Sequence, residues 1–267
     1  MLTVIKLGGG KGIDPGFLLD EIAAMKGKFI LVHGASHELN ELQQALGIPV
    51  ETITSPSGFT SRRTTREVIE LFEMAYCGKA NKALVEGLQK RGVNAIGLSG
   101  IDGMLLTAKR NTAIKSAEGG KTKIIRDDLS GKPETANTTL LSSLLETGYV
   151  PVICPPAIAE GGIAVNVDGD LAAAVIAGKM NASALVFLSN VPGILREVGN
   201  NGSLIKKIRL PEFENSMKEF AKGRMKKKLL AAKIAIESGV EKVAIAGANT
   251  ENPMANALNG VGTCITE

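Results

Sequence analysis

The sequence predicts an α/β fold, a three-layer α/β/α sandwich on a mainly parallel sheet, and three observations carry that expectation. Short apolar or β-branched runs alternate with helical patterns along the whole chain. Several of those runs end directly in glycine, as at Leu7-Gly8-Gly9-Gly10 and His33-Gly34, where ligands approach the carboxyl ends of parallel strands. No shift of composition marks a linker across the 267 residues, which read as one domain with two lobes parting near residue 180.

Apolar residues make up 44% of the chain and charged residues 22%, which supports a packed core. No apolar run is long enough to span a membrane, and the first residues enter a strand without a signal-peptide layout. Cys77, Cys154 and Cys264 are odd in number and far apart, the pattern of reduced thiols in a cytoplasmic protein. The formal charge is +4, and aromatics are only 3% with no Trp. An anionic partner fits that balance, whereas a base-stacking nucleic-acid platform is poorly supplied.

Leu2 to Leu7 reads as a buried strand that stops at a triple glycine. Bare amides at Gly8 and Gly9 beside the Lys6 ammonium suit a phosphate cradle; a tight turn beside a snorkelling lysine fits the same residues. Asp14-Pro15 opens a helix to about Lys26. Phe29 to Val32 is a second strand, ending at His33-Gly34-Ala35-Ser36, with Ser36 placed to cap a helix from His37 to Leu46. His33 and His37 have zinc-helix spacing, but His33 precedes the glycine and no Glu follows, so no metal site is expected.

Gly58-Phe59-Thr60-Ser61-Arg62-Arg63-Thr64-Thr65-Arg66 is a polar loop opening a helix to about Tyr76. Arginine at a helix start opposes the helix dipole, and facing a ligand carboxylate would explain it. Solvated surface charge is the alternative. A separate helix from Lys79 to Arg91 leads to a strand at Asn94 to Leu98 and the turn Ser99-Gly100-Ile101-Asp102-Gly103. Residues 104–131 change character, with short alternating pieces around Gly119-Gly120 that predict β-hairpins. Gly120-Lys121-Thr122 mimics a P-loop end, but Lys115 stands where its first glycine belongs and no helix follows.

Thr135 to Thr147 reads as a helix and Tyr149 to Ile153 as a strand. Asn166-Val167-Asp168-Gly169-Asp170 then leads into a small, apolar, buried helix. Capping accounts for one aspartate there, not for an Asn and two Asps. Strands at Ala184 to Leu188 and Val243 to Ala246, a helix from Gly223 to about Ser238, and an edge strand at Cys264-Ile265 complete the pattern.

Two histidines without evident partners leave no Ser-His-Asp or Cys-His set. Phosphorylating a carboxylate needs no general base, because the nucleophile is already an anion. The site must instead supply lysines, backbone N–H groups and Mg²⁺, with a carboxylate to hold the lysines. The metal would be held through nucleotide phosphates, so no dedicated cage is expected.

Ile5-Lys6-Leu7-Gly8-Gly9, Leu31-Val32-His33-Gly34, Ser61-Arg62-Arg63-Thr64, Gly97 to Gly103, Asn166 to Asp170, Asn190-Val191-Pro192-Gly193 and Gly223 to Lys228, in that order, resemble the amino acid kinase family, specifically its acetylglutamate kinase branch. Phe72 to Lys82 and Asn166 to Asp170 are most similar to the kinases of carrier-protein-dependent lysine biosynthesis. The resemblance implies ATP-dependent phosphorylation of the side-chain carboxylate of 2-aminoadipate or glutamate, attached through its amino group to a small acidic carrier protein. Alternatives are an N-acetylglutamate kinase and a non-catalytic nucleotide- or amino-acid-binding regulator.

By the same resemblance, Lys6 and Lys228 are the transition-state lysines and Asp170 organises them. Gly9, Gly34 and Ala35 supply amides, while Arg62 and Asn166 hold the substrate. Gly8, Ser189, Asn190, Gly193 and Lys226 bind the nucleotide, Lys226 being the alternative to Lys228 at the phosphates. The acceptor lobe would be about 1–180 and the nucleotide lobe about 181–267, in a homodimer. Two basic clusters would suit carrier docking: Lys109, Arg110, Lys115, Lys121, Lys123 and Arg126 on the hairpins, and Lys218, Lys222, Arg224, Lys226, Lys227, Lys228 and Lys233 on the late helix; ordinary solvated charge is the alternative. Ala35 and Asn190 depart from the family's commoner Gly and Asp. The N-terminal helix of arginine-inhibited acetylglutamate kinases is absent, so feedback by that route is not expected.

Overall fold

The computed structural model describes residues 1–56, 60–118, 121–220 and 223–267. Gly58, Phe59, Gly119, Gly120 and Lys222 lie outside the described residues, as do the side chains of Lys121, Lys218 and Arg224.

In chain order the elements are β1 (Leu2–Leu7), α1 (Gly16–Ala24), β2 (Lys28–His33), α2 (Ser36–Ala45), β3 (Thr52–Thr54), β4 (Thr60–Arg62) and α3 (Arg66–Glu73). A π-helical turn, Met74–Ala80, joins α3 to α4 (Asn81–Gln89). Then come β5 (Ala95–Gly100), β6 (Leu106–Arg110), β7 (Ile114–Glu118), β8 (Lys121–Ile125), β9 (Ser130–Ala136) and α5 (Thr138–Glu146). The chain continues through β10 (Val150–Ala159), β11 (Ile163–Val167), α6 (Gly169–Lys179), β12 (Ala184–Ser189), β13 (Lys207–Arg209), α7 (Phe213–Phe220), α8 (Arg224–Glu237), β14 (Lys242–Gly247), α9 (Pro253–Leu258) and β15 (Thr263–Thr266).

One sheet runs β11-β9-β6-β10-β2-β1-β12-β14-β15-β13, with β5 also on β10. Its centre is parallel: β1 sits between β2 and β12, pairing Lys6 with Val32 on one side and Phe187 on the other. Period-two alternation distributes the apolar side chains between two layers. Val4, Ile30, Val32, Leu185 and Phe187 pack with α6 and α8. Ile5, Leu7, Leu31, Val186 and Leu188 pack with α1, α4 and α9 on the other face. Lys6 shares the face of Val4, so the pleat itself aims it at the α6/α8 layer.

The three-layer sandwich and the hairpins in 104–131 are as expected: β6 pairs with β9 and β7 with β8, both antiparallel. Four local expectations are corrected. Ser36 does not cap α2; its Oγ donates to the Gly9 carbonyl at 2.8 Å, tying the two glycine loops together. The segments at 66–76 and 79–91 form one continuous helix across the π turn, and Arg62 lies on β4 rather than at its start. Thr65 caps that helix, its Oγ1 accepting from Val68 N at 3.2 Å. The helix expected from Thr135 begins at Thr138, because Thr135 and Ala136 pair with β6 and Asn137 supplies the cap. β15 is not an edge; it lies between β14 and β13.

Among the described residues, no helix is long and apolar enough to cross a membrane.

Candidate active site

The pleat points Lys6 into a buried ion cluster. Its Nζ lies 2.9 Å from Asp170 Oδ1, and Lys228 Nζ lies 3.0 Å from Asp170 Oδ2. All three side chains are largely buried, at 10%, 13% and 9% relative exposure for Lys6, Asp170 and Lys228. Asp170 stands in the first turn of α6, whose cap is Asp168; one Asp168 oxygen accepts from Asp170 N and Leu171 N. The two aspartates therefore divide the work, one capping and one bridging cations. Lys228, one turn into α8, arrives because α6 and α8 run side by side. At their far ends a Cβ on Gly178 would sit 2.6 Å from Ser238 Cβ, so glycine permits the close approach.

Two buried cations share one anion, leaving the cluster with an excess positive charge in a poorly solvated site. Burial works against the Asp170 carboxylate, but Lys228 and Lys6 outweigh it and hold the carboxyl well below the usual range. Burial lowers Lys228 below its ordinary value, and Asp170 restores only part of it. The Lys228 ammonium also sits 4.8 Å from the centre of the Phe187 ring. Of the three consecutive lysines, Lys228 is seen in this cluster. Lys227 reaches only to 3.8 Å from Asp168 Oδ2.

The glycine loops after β1 and β2 meet beside it. A Cβ on Gly9 would lie 2.1 Å from Gly34 C and 2.2 Å from Ala35 N, so no other residue fits. Gly9 O accepts from His37 N at 2.9 Å. Two of the expected donors are spent inside the fold, since Gly8 N donates to Leu188 O and Gly34 N to Leu7 O. Gly8 and Gly34 thus contribute close backbone approach, not free amides. Behind them, fully buried His33 is held below its ordinary value, at about 4, chiefly by burial, and its ring contacts Gly34 O and Asn81 Nδ2. Asn81 also donates to Val152 O at 2.9 Å, tying the loop to β10.

Arg62 lies on β4 and Asn166 on β11. Arg62 donates to Asn40 Oδ1 and Gln43 Oε1 on α2. Asn166 Nδ2 donates to Thr64 Oγ1 at 3.1 Å. Sequence reasoning missed what holds them: fully buried Asp128 accepts from Thr64 N and Ser130 N, both at 2.8 Å, with Arg63 alongside. The Asp127-Asp128 pair amid basic hairpins was the available signal. It also missed Asn249, whose Oδ1 accepts from Asp14 N and whose Nδ2 donates to Gly12 O, fastening the first glycine loop to β14.

Of the expected nucleotide residues, Ser189 ends β12 beside Gly8 and Asn190 is exposed. Gly193 is enclosed by the protein instead: a Cβ there would meet Leu204 and Thr263 at 2.7 Å, and its φ of +155° also favours glycine. Among the described residues no cluster of His, Cys, Asp and Glu could hold a metal.

The amino acid kinase family profile matches residues 1–247. A [LysW]-aminoadipate kinase of Deinococcus radiodurans is 47% identical over 99% of this chain and 91% of its own. One of Thermus thermophilus is 45% identical over 99% of this chain and all of its own. The carbamate kinase of Giardia lamblia bound to AMP-PNP shares the fold at a TM-score of 0.66 and 16% identity, over 99% of this chain and 98% of that one. The profile match over residues 1–247 and relatives 45–47% identical over nearly the whole chain make this chain a member of the amino acid kinase family.

Proposed function

We propose that this enzyme transfers the γ-phosphoryl group of ATP to the side-chain carboxylate of 2-aminoadipate or glutamate, carried through its amino group on a small acidic protein, in lysine or arginine biosynthesis. The observation that supports it most is the buried Lys6–Asp170–Lys228 cluster, whose surplus positive charge suits the developing charge of a transferring phosphoryl group. A carboxylate oxygen attacks the γ-phosphorus, the bond to the ADP oxygen breaks, and an acyl phosphate forms. No base is needed. Names of relatives similar over nearly their full length favour the carrier-linked acceptor over free N-acetylglutamate.

In this reading Lys6 and Lys228 line the path of the phosphoryl group and Asp170 fixes their separation. Gly9 and Ala35 line the acceptor side, with Gly34 giving the clearance, while Arg62 and Asn166 orient the acceptor. Gly8 and Ser189 lie toward the nucleotide, with Asn190, Gly193 and Lys226 as more distant supports in a nucleotide lobe from about 181. Since both site aspartates are engaged with lysines and amides, Mg²⁺ would arrive on the ATP phosphates, where it neutralises charge. The exposed Lys109, Lys115, Lys123 and Arg126 favour encounter with an acidic carrier. A cytoplasmic homodimer completes the reading, and light scattering tests the dimer.

The deciding experiment measures ADP release and hydroxylamine-trapped acyl phosphate with three acceptors: N-acetylglutamate, carrier-bound glutamate and carrier-bound aminoadipate. Turnover confined to loaded carrier supports the proposal. Comparable turnover with N-acetylglutamate overturns it in favour of an acetylglutamate kinase, and silence with all three favours a regulator.

A further inference from the structure

Cys77 and Cys154 are far apart in sequence, yet their Sγ atoms lie 3.7 Å apart. Cys77 sits on the π turn and is partly exposed; Cys154 is buried in β10, paired across from Ser99. The single Cys154 thiol hydrogen has two acceptors in reach, Cys77 Sγ and Leu98 O, each 3.7 Å from Cys154 Sγ. The contact between the thiols draws Cys77 below its ordinary value, while the same contact and burial push Cys154 well above. One thiol is therefore partly exposed, and the other lies buried directly behind it. This is the arrangement of an attacking and a resolving cysteine.

We propose that Cys77 and Cys154 form a reversible disulfide under peroxide, a modification site set into the wall of the acceptor pocket. The Cys77 thiolate attacks one peroxide oxygen, the O–O bond breaks, and a sulfenic acid forms with release of hydroxide, which takes up a proton as water. Cys154 sulfur then attacks Cys77 sulfur; the S–OH bond breaks, and the thiol proton leaves with the hydroxyl as a second water. Two thiols are oxidised and one peroxide is reduced. A thiol reductant reverses the bond by exchange.

The location gives the bond a consequence. β10 runs parallel to β2, pairing Ile153 with Val32, so Cys154 is level with His33 at the end of β2, where Gly34 and Ala35 follow. Cys154, Tyr76 and Ala35 belong to one buried cluster, and Cys77 packs against it. A disulfide needs its sulfurs at about 2.05 Å, so closure pulls the π turn toward β10 and carries Tyr76 with it. The Ala35 side of the acceptor pocket then shifts. That consequence, unlike the bond, rests on the proposed acceptor site.

Graded hydrogen peroxide treatment of the full chain, alkylation of remaining thiols, and peptide mass mapping test the bond without reference to activity. The expected product is a Cys77–Cys154 crosslinked peptide lighter by two hydrogens, lost on adding dithiothreitol and absent in Cys77→Ser. Cys154→Ala, which fills the buried position with an apolar group, should leave Cys77 to stop at sulfenic or sulfinic acid. Two unmodified thiols, or a bond to Cys264, would overturn the proposal. In the kinase assay the crosslinked enzyme should lose on the order of 100-fold in kcat/KM for the acceptor, with nucleotide affinity unchanged. A crosslink that forms without that loss refutes the effect on the pocket and leaves the bond standing.

Discussion

Lys6 Nζ lies 2.9 Å from Asp170 Oδ1, and the other Asp170 oxygen holds Lys228. Removing the Lys6 charge takes away half of the cationic pair without opening the cluster to water. Lys6→Met is expected to lower kcat on the order of 10²–10³-fold while ATP binding persists. Steady-state kinetics beside equilibrium nucleotide binding checks this; normal turnover would remove Lys6 from the chemistry. Asp170→Asn leaves two buried ammonium groups without a counter-charge, and urea melts should show a loss of about 3–5 kcal/mol.

In the proposed reaction Lys228 acts on the phosphoryl group as an ammonium, so it must stay protonated. Burial lowers it below 10.5, and Asp170 opposes that only in part. Activity should therefore fall with rising pH at a midpoint below 10.5. In Lys228→Arg, whose guanidinium does not deprotonate, whatever activity remains should lose that alkaline limb. A limb that stays in place in the arginine variant would assign it to another group.

His33 titrates near 4 in the fold and near 6.5 unfolded, because burial disfavours the charged ring. The unfolded chain takes up the proton first. The stability this group contributes is complete above pH 6.5 and is lost as the pH falls toward 4, by about 3 kcal/mol in all. Urea unfolding across that window should show the slope, and His33→Gln should flatten it.

Gly9→Ala puts a methyl group 2.1 Å from Gly34 C and 2.2 Å from Ala35 N, so the two glycine loops must separate. Because these loops flank the acceptor carboxylate in the proposed reaction, displacement of about an ångström should cost roughly 100-fold in kcat/KM. A variant with wild-type kinetics would show that the loops do not position the acceptor.

Glu21 is buried on α1, where its two oxygens accept from Met254 N at 2.8 Å and Ala255 N at 2.7 Å at the start of α9. Glu21→Gln replaces one acceptor with an amide that opposes an N–H. A loss of about 1.5–3 kcal/mol is expected in thermal or urea melts, without a change in KM for ATP.

The alternating strands and helices were legible because period two and period 3.6 are local properties of the chain. Glycine after β1 and β2, and the crowded Asn166 to Asp170 segment, marked the site for the same reason: those residue types are poor choices for ordinary packing. Boundaries failed where tertiary contacts outbid local signals. Ser36 looks like a helix cap and bonds the neighbouring loop instead. Cys77-Gly78 reads as a helix break, yet the helix continues through it in a π turn.

By itself, then, the sequence determined the α/β class, the strand that carries Lys6, the two glycine loops and the residues that carry family membership. It did not determine which partner each charged side chain finds. Lys226, Lys227 and Lys228 are chemically alike and adjacent, and only the close approach of α6 and α8 selects Lys228 for Asp170. Asp128 beneath Thr64, Glu21 beneath α9 and Cys154 beside Cys77 are likewise decided by the packing of distant segments. Burial strengthens each charge, hydrogen bond or thiol contact through the low local dielectric, and burial is a property of the assembled layers rather than of any stretch of chain.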